Sequence, residues 1–332
     1  MTSKKGNISN FSRVSNPVST IGNNLSTSLY SMLTLRRRMA WTFLALAIGI
    51  LIAGFWNYKA VDDFGRDVVA GNIIGNTSTL AGTFGENGFG FDILFALAAG
   101  LAATFTACNC VMFAMLPGLT CSTDRSSSRK TALRALGVFS LGVLAVTAIY
   151  GLYVGSLGPD AVQAYNERQV RLSQASNIFT ILGLFMLVWG AISSGFLNTI
   201  VSRIPSNIRS FFANPLTKAG LMGLQVGFFA VGRPFGVFRD FLTYAATTRN
   251  PLYGALMMSI QGIGQIALMV ILFLVVISVF GKRLARLSSE KPHQVELISV
   301  VSLLLGGAYF VFYWGMAVPY GIGRWGEIFG LY

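Results

Sequence analysis

The sequence predicts an all-α membrane protein with about seven transmembrane helices. Its mean hydropathy is +0.62 and only 11% of its 332 residues are charged, which excludes an ordinary soluble domain. A helix of about 20 apolar residues crosses the hydrocarbon core of a bilayer. Seven apolar stretches of this kind occur, at roughly 39–57, 93–116, 135–157, 178–201, 219–237, 252–280 and 297–319.

The segments outside the predicted core have distinct compositions. Residues 1–38 are rich in Ser, Asn and Thr and are predicted to form a polar cytoplasmic arm. The stretch 39–57 is predicted to be an accessory anchor that is not cleaved, because a long polar arm precedes it. Residues 58–90 are predicted to form an external loop, and residues 320–332 an external aromatic tail.

Basic residues determine the predicted orientation. If the N-terminus lies inside and seven spans alternate, the inner segments hold 17 of the 25 Lys and Arg residues. Nine of the 12 acidic residues fall outside. This distribution follows the positive-inside rule, and it accounts for the net charge of +13 without a nucleic-acid partner. We therefore expect a multi-pass protein surrounded by membrane lipid in a bacterial-type cytoplasmic membrane, with its C-terminus outside.

The second stretch contains an unusual group of cysteines. Cys108 and Cys110 lie inside it, Pro117 follows as a helix breaker, and Cys121 lies just beyond its end. Three clustered cysteines do not make the disulfide framework of a small secreted domain. A single histidine, His293, excludes a multi-histidine metal site within this chain. The three cysteines are therefore candidate redox thiols.

A weak internal repeat relates the second and fifth stretches. Four identities occur in twelve aligned positions: Gly100, Leu101, Phe105 and Ala107 match Gly223, Leu224, Phe228 and Ala230. Each of these stretches opens a group of three spans, and because three is odd the two groups have opposite orientations. This is the inverted-repeat arrangement of many transporters. The predicted six-helix core covers 91–319, with repeats at about 91–201 and 219–319.

On this alignment Arg233 lies opposite Cys110. Gly232 and Pro234 are predicted to interrupt the fifth helix at the same place. Because an arginine in a span is costly, Arg233 is a candidate functional residue. Three interpretations are open: it favours a nearby thiolate, it binds an anionic substrate or lipid headgroup, or it extends to the outer surface. Gln225 is predicted either to line a central cavity or to hydrogen-bond between helices.

The stretch from Phe105 to Leu119 resembles the first half-site of the CcdA/DsbD family of membrane thiol–disulfide electron carriers, associated with cytochrome c biogenesis. The resemblance implies two inverted groups of three helices, a redox role for Cys110, and Pro117 as the following proline. It also implies a separate thioredoxin-like donor or acceptor protein. The chain departs from the family pattern, because Asn109 rather than proline precedes Cys110. The fifth stretch also has no cysteine, so a disulfide between the two repeats cannot form.

The leading hypothesis is transfer of reducing equivalents through Cys110 and a partner thiol, without a resident cofactor. The partner is Cys108, Cys121 or a cysteine of another protein. A Cys108–Cys110 disulfide requires an unwound helix, because side chains at i and i+2 point apart. A Cys110–Cys121 disulfide requires the chain to fold back at Pro117.

Two other hypotheses belong to different functional classes. The protein is either a non-catalytic subunit of a larger membrane complex, or a transporter of a small solute or metal built on the same repeat. The long arm, the extra span and the missing second cysteine favour the subunit. Soft sulfur ligands from Met112 and Met115 beside the thiols favour Cu(I) as a transported metal.

Overall fold

The computed structural model describes residues 39–80, 83, 86–105, 128–195, 203, 214–290 and 292–331. Within these ranges every regular element is a helix. The predicted cytoplasmic arm and four of the candidate site residues, Cys108, Cys110, Pro117 and Cys121, lie outside them. The all-α prediction is therefore confirmed for the described part of the chain, whereas the predictions for the cysteines stay predictions.

The described residues contain twelve helices, with Val318–Tyr320 counted as the end of α11. Their bounds are α1 Met39–Gly54, α2 Tyr58–Ile74, α3 Thr77–Leu80, α4 Phe89–Thr104, α5 Ser128–Leu157, α6 Pro159–Asn166, α7 Arg168–Ser194, α8 Pro215–Gly232, α9 Gly236–Ala246, α10 Pro251–Glu290, α11 Pro292–Phe312 and α12 Trp325–Ile328. Two of them include π-helical turns: Phe64–Ala70 lies within α2, and Tyr313–Ala317 extends α11. Proline stands at the first position of α6, α8 and α10, where its missing N–H has no helical partner in any case.

The helices support a membrane protein with four to six spans. Four of them, α5, α7, α10 and α11, are each long and apolar enough to cross a bilayer. The pairs α1–α2 and α8–α9 meet the same criterion only if each pair forms one bent span, with bends of 75° and 84°. The remaining apolar helix, α4, has 16 residues. The predicted class of all-α membrane protein is confirmed, and the count of seven stays a prediction.

Helix boundaries differ from the apolar stretches at several ends, and two of these differences bear on the site described below. The segment 58–90, predicted as a loop, contains α2 and α3 and the start of α4. The helix α7 begins at Arg168, ten residues before the predicted span at 178. The reason is the same in both places: hydropathy reports which residues suit lipid, whereas a helix continues wherever its backbone hydrogen bonds continue into a polar region.

Two equivalent helix contacts occur at residues that the sequence alignment matches. An added Cβ at Gly100 of α4 would lie 2.9 Å from the Cα of Gly264 on α10. An added Cβ at Gly142 of α5 would lie 3.1 Å from the carbonyl carbon of Gly223 on α8. Gly100 and Gly223 are aligned residues, so α4 packs on α10 as α8 packs on α5. This equivalence supports the inverted repeat.

The third helix of each group forms a separate aromatic contact. The rings of Phe179 on α7 and Phe310 on α11 stack with centroids 5.5 Å apart. Phe229 of α8 and Trp314 lie within 5.9 Å and 4.9 Å of Phe179. These aromatic side chains hold α7, α8 and α11 together around a buried centre, since such pairs add to the energy of area burial.

Candidate functional site

The helix predicted as the fifth span is interrupted where the sequence predicts it. The helix α8 ends at Gly232, and α9 begins at Gly236 in a direction 84° away. Arg233 and Phe235 are extended, with ψ of 119° and 129°. Proline restricts the residue before it to extended conformations and has no N–H to continue the helix, so Pro234 explains the break.

The side chain of Arg233 points into the protein. None of its surface is exposed. Its Nη1 donates a hydrogen bond to Oε1 of Gln265 on α10 at 3.1 Å, and its guanidinium lies 5.4 Å from the ring centroid of Phe238. Its carbonyl oxygen accepts a hydrogen bond from Nε of Arg239 at 2.7 Å. The interpretation that Arg233 extends to the outer surface is therefore wrong, because the broken helix turns the side chain inward.

Gln265 connects Arg233 to the helix that leads into the cysteine stretch. The hydroxyl of Thr104, at the end of α4, donates to the carbonyl oxygen of Gln265 at 2.9 Å. The Gln265 amide also donates to the carbonyl oxygen of Val226 on α8 at 3.4 Å. In the sequence, Cys108 follows Thr104 by four residues. The structure thus brings Arg233 and the end of α4 to the same glutamine.

Two further glutamines are buried in the helical core. Gln225 of α8 is 3% exposed, and Gln261 of α10 is fully buried. The side-chain amide atoms of both have no hydrogen-bond partner among the described residues. Gln225 is predicted either to line a cavity or to hydrogen-bond between helices. Among the described residues, its side-chain amide makes no hydrogen bond to another helix. Buried amides without partners are rare in proteins, and they mark a polar centre in this bundle.

A basic cavity of about 190 Å³ lies at one end of the bundle, beside the break. The arginine cavity, as we call it, is lined by aromatic side chains and by six residues used below: Asp62, Arg168, Arg171, Arg233, Trp314 and Arg324. Asp62 interacts electrostatically with Arg233 and Arg171. Arg324 forms an ion pair with Glu327, at 3.2 Å between Nη1 and Oε2.

Analysis of the sequence identified only Arg233 of this cavity. The other residues come from α2, α7 and the segment after α11, which are far apart in the chain. One signal was present nevertheless, because all four arginines belong to the eight basic residues on the predicted outer side. Basic residues on the predicted outer side are exceptions to the positive-inside rule. They are the sequence signal that could have indicated such a cavity.

A buried carboxylate forms a second polar cluster that the sequence did not indicate. Asp92, in the first turn of α4, is 5% exposed. Its side chain accepts hydrogen bonds from the hydroxyl of Tyr244 on α9 and, at 2.7 Å, from that of Tyr253 on α10. Asp92 thus ties the start of the first repeat to two helices of the second repeat.

The described residues offer no obvious metal site. Among them, no three His, Cys, Asp or Glu side chains lie close enough together to hold an ion. The copper hypothesis depends on the thiols together with Met112 and Met115, and these residues lie outside the described ranges. It therefore stays a prediction from the sequence.

Comparison with known proteins identifies the family. No curated protein matches the chain, and no solved structure matches it. A family model described as the cytochrome c biogenesis protein transmembrane domain matches residues 90–288, which is more than half of the chain. The match runs from α4 into α10 and includes the three cysteines and Arg233. The chain therefore belongs to the family of the cytochrome c biogenesis protein transmembrane domain, whose members are membrane proteins of thiol–disulfide electron transfer.

Proposed function

We propose that the protein passes reducing equivalents through thiols that follow α4, with Cys110 as the central residue. The observation that carries the proposal is the family match over 90–288. The resemblance of Phe105 to Leu119 to the first half-site of that family supports Cys110 as the redox cysteine of the first repeat. In this proposal the protein lies in a bacterial-type cytoplasmic membrane, and the distribution of basic residues supports an N-terminus inside. A separate thioredoxin-like protein supplies or receives the electrons.

The proposed exchange begins with an oxidised pair, Cys110 joined to Cys108 or Cys121. A thiolate of the reduced donor attacks one sulfur of this disulfide and forms a mixed disulfide, and the other sulfur of the chain leaves as a thiolate. The second thiol of the donor then displaces the chain. The donor ends as a disulfide and the chain as two thiols, so two electrons and two protons have moved. An oxidised acceptor protein reverses these steps.

The family pattern has its second cysteine in the fifth span, and Arg233 stands near its expected place. Its guanidinium and the hydroxyl of Thr104 at the end of α4 both hydrogen-bond to Gln265, and the side chain of Arg233 is fully buried. A nearby cation favours a thiolate over a thiol, and thiolates are the reactive form. In this proposal, Arg233 supplies charge to the exchange, while both sulfur atoms come from the first repeat or from a partner.

Thiol trapping in intact membranes tests the exchange. With a maleimide mass tag applied before and after reduction, we expect Cys110 to alternate between blocked and free states and to trap a mixed disulfide. Cys110→Ser should lose both signals completely, because its sulfur is the reacting atom. Cys121→Ser is the matched variant, and its loss or retention of exchange distinguishes Cys121 from Cys108 as partner. If all three cysteines stay reduced in every condition, the redox proposal is contradicted.

A non-catalytic subunit of a larger complex is the second candidate. The observation that favours it is the missing second cysteine, near whose expected place Arg233 is fully buried and bonded to Gln265. For a subunit, we expect blue-native electrophoresis of mild-detergent extracts to show one stable assembly far larger than the 35.8 kDa chain. Cys110→Ser should leave both that assembly and the phenotype of the cell unchanged. Migration as a free monomer or homodimer contradicts the subunit proposal.

A further inference from the structure

We infer that the arginine cavity binds a phosphate-type oxyanion, supplied either by the headgroup of an anionic phospholipid or as free phosphate. The inference does not use the cysteines and stands independently of the redox proposal. It rests on the charge of the cavity, on two buried donors that line it, and on the groove that continues from it.

The positive charge of the cavity exceeds what its own acids neutralise. Arg324 pairs with Glu327 and Arg233 is bonded to Gln265, so the charge argument uses neither of them. Among the described lining residues, Arg168 and Arg171 then face one carboxylate, that of Asp62. Just outside the lining, Arg239 and Asp240 both interact electrostatically with Arg171, and Asp63 and Arg66 both interact with Asp62, so each of these pairs cancels. Within the lining, Arg168 and Arg171 together carry one positive charge more than Asp62 neutralises. Guanidinium groups bind phosphate through paired, charge-assisted hydrogen bonds, so this excess favours an oxyanion.

Two buried donors line the same cavity and have no acceptor among the described residues. They are Nε of Arg171 and Nε1 of Trp314, and Trp314 is 5% exposed. Trp314 lies in the π-helical turn after α11, and its carbonyl oxygen accepts a hydrogen bond from Ser176 of α7 at 2.6 Å. A buried N–H without an acceptor is costly, and the oxygens of an oxyanion supply acceptors to both groups.

The shape of the cavity fits a phosphate with a substituent. A volume of about 190 Å³ holds about six water-sized groups, since each takes roughly 30 Å³. That is enough for a phosphate and the first atoms bonded to it. A larger groove of about 790 Å³ shares Arg168, Leu172 and Val318 with the cavity and continues along α7 past Asn177 and Thr180. The rest of a phosphate ester lies in this groove.

The test uses the full chain purified in detergent. In one arm, native mass spectrometry measures retention of phosphatidylglycerol against phosphatidylcholine, whose choline cation offsets the phosphate charge. In the other arm, inorganic phosphate is compared with chloride at equal ionic strength by the shift in thermal unfolding. We expect Arg171→Gln and Trp314→Phe to weaken binding roughly tenfold, as for the loss of one charge-assisted contact. Arg249→Gln, an exposed arginine outside the cavity, is the matched control and should bind as the wild type does.

Each outcome decides the inference. A preference for phosphatidylglycerol that Arg171→Gln removes identifies a lipid headgroup, and stabilisation by inorganic phosphate alone identifies free phosphate. If Arg171→Gln does not yield a monodisperse protein, Arg168→Gln replaces it, because Arg168 is exposed at the first turn of α7. Binding in neither arm, or binding that is equal in wild type and the cavity variants, overturns the inference.

Discussion

Valine in place of Gly100 or of Gly223 is expected to destabilise the protein by about 3 kcal/mol or more, at the upper end of the usual cost of overpacking. An added Cβ at Gly100 would lie 2.1 Å from the backbone oxygen of Gln261, and one at Gly223 would lie 2.1 Å from that of Phe139. A backbone atom cannot move aside as a side chain can, so the two helices must separate. The midpoint of thermal unfolding in detergent should fall by about 10 °C.

The control for both variants is Gly137→Val on α5. No atom lies within 4 Å of a Cβ added at Gly137, which is exposed on the outside of the bundle. This variant should unfold within about 1 °C of the wild type, since surface substitutions usually change stability little. If Gly100→Val and Gly223→Val differ strongly from each other, the two repeats do not pack equivalently. If neither variant unfolds at a lower temperature than Gly137→Val, the close contacts of Gly100 and Gly223 with their neighbouring helices are contradicted.

Local chemistry made part of this fold predictable from the sequence. Gly232 and Pro234 break the fifth helix because a proline lacks an N–H and restrains its neighbour, which is an effect of adjacent residues. The repeat was detectable because Gly100 and Gly223 meet backbone atoms in equivalent places, and only glycine fits there. The hydrophobic stretches identified the parts of the chain where a helix is apolar enough to lie in lipid. They did not identify α2 or the first turns of α7, whose polar residues continue a helix beyond the apolar region.

The arginine cavity and the Asp92 cluster could not be predicted from the sequence, because both are formed by contacts between segments that are far apart in the chain. The arginines of the cavity come from three segments, and a sequence read along the chain does not show that they converge. The inward direction of Arg233 follows from the 84° turn and from Gln265, 32 residues further on. Asp92 stands one residue before an apolar stretch, and its sequence neighbours give no sign of a buried carboxylate. Its partners Tyr244 and Tyr253 follow 152 and 161 residues later.

The second large effect is expected at that carboxylate. Asp92→Leu removes the acceptor of two tyrosine hydroxyls in a buried place. Each buried hydroxyl that loses its acceptor costs about 1–3 kcal/mol. The expected loss of stability is therefore about 2–6 kcal/mol, and most of the protein should fail to purify as a monodisperse species. Fluorescence-detected size-exclusion chromatography after a heating series measures this loss.

A set of combined variants separates the lost hydrogen bonds from the changed packing. Replacing every polar partner by an apolar group of similar shape is often nearly neutral, whereas removing only one partner is not. The triple variant Asp92→Leu, Tyr244→Phe and Tyr253→Phe should therefore regain most of the stability that Asp92→Leu loses. If the triple variant is no more stable than Asp92→Leu, the carboxylate stabilises the bundle through something other than these two hydroxyls. If the triple variant does regain stability, replacing the polar cluster by apolar side chains changes the free energy of unfolding little. A loss of activity in that variant would then show that Asp92 is needed for chemistry and not for stability.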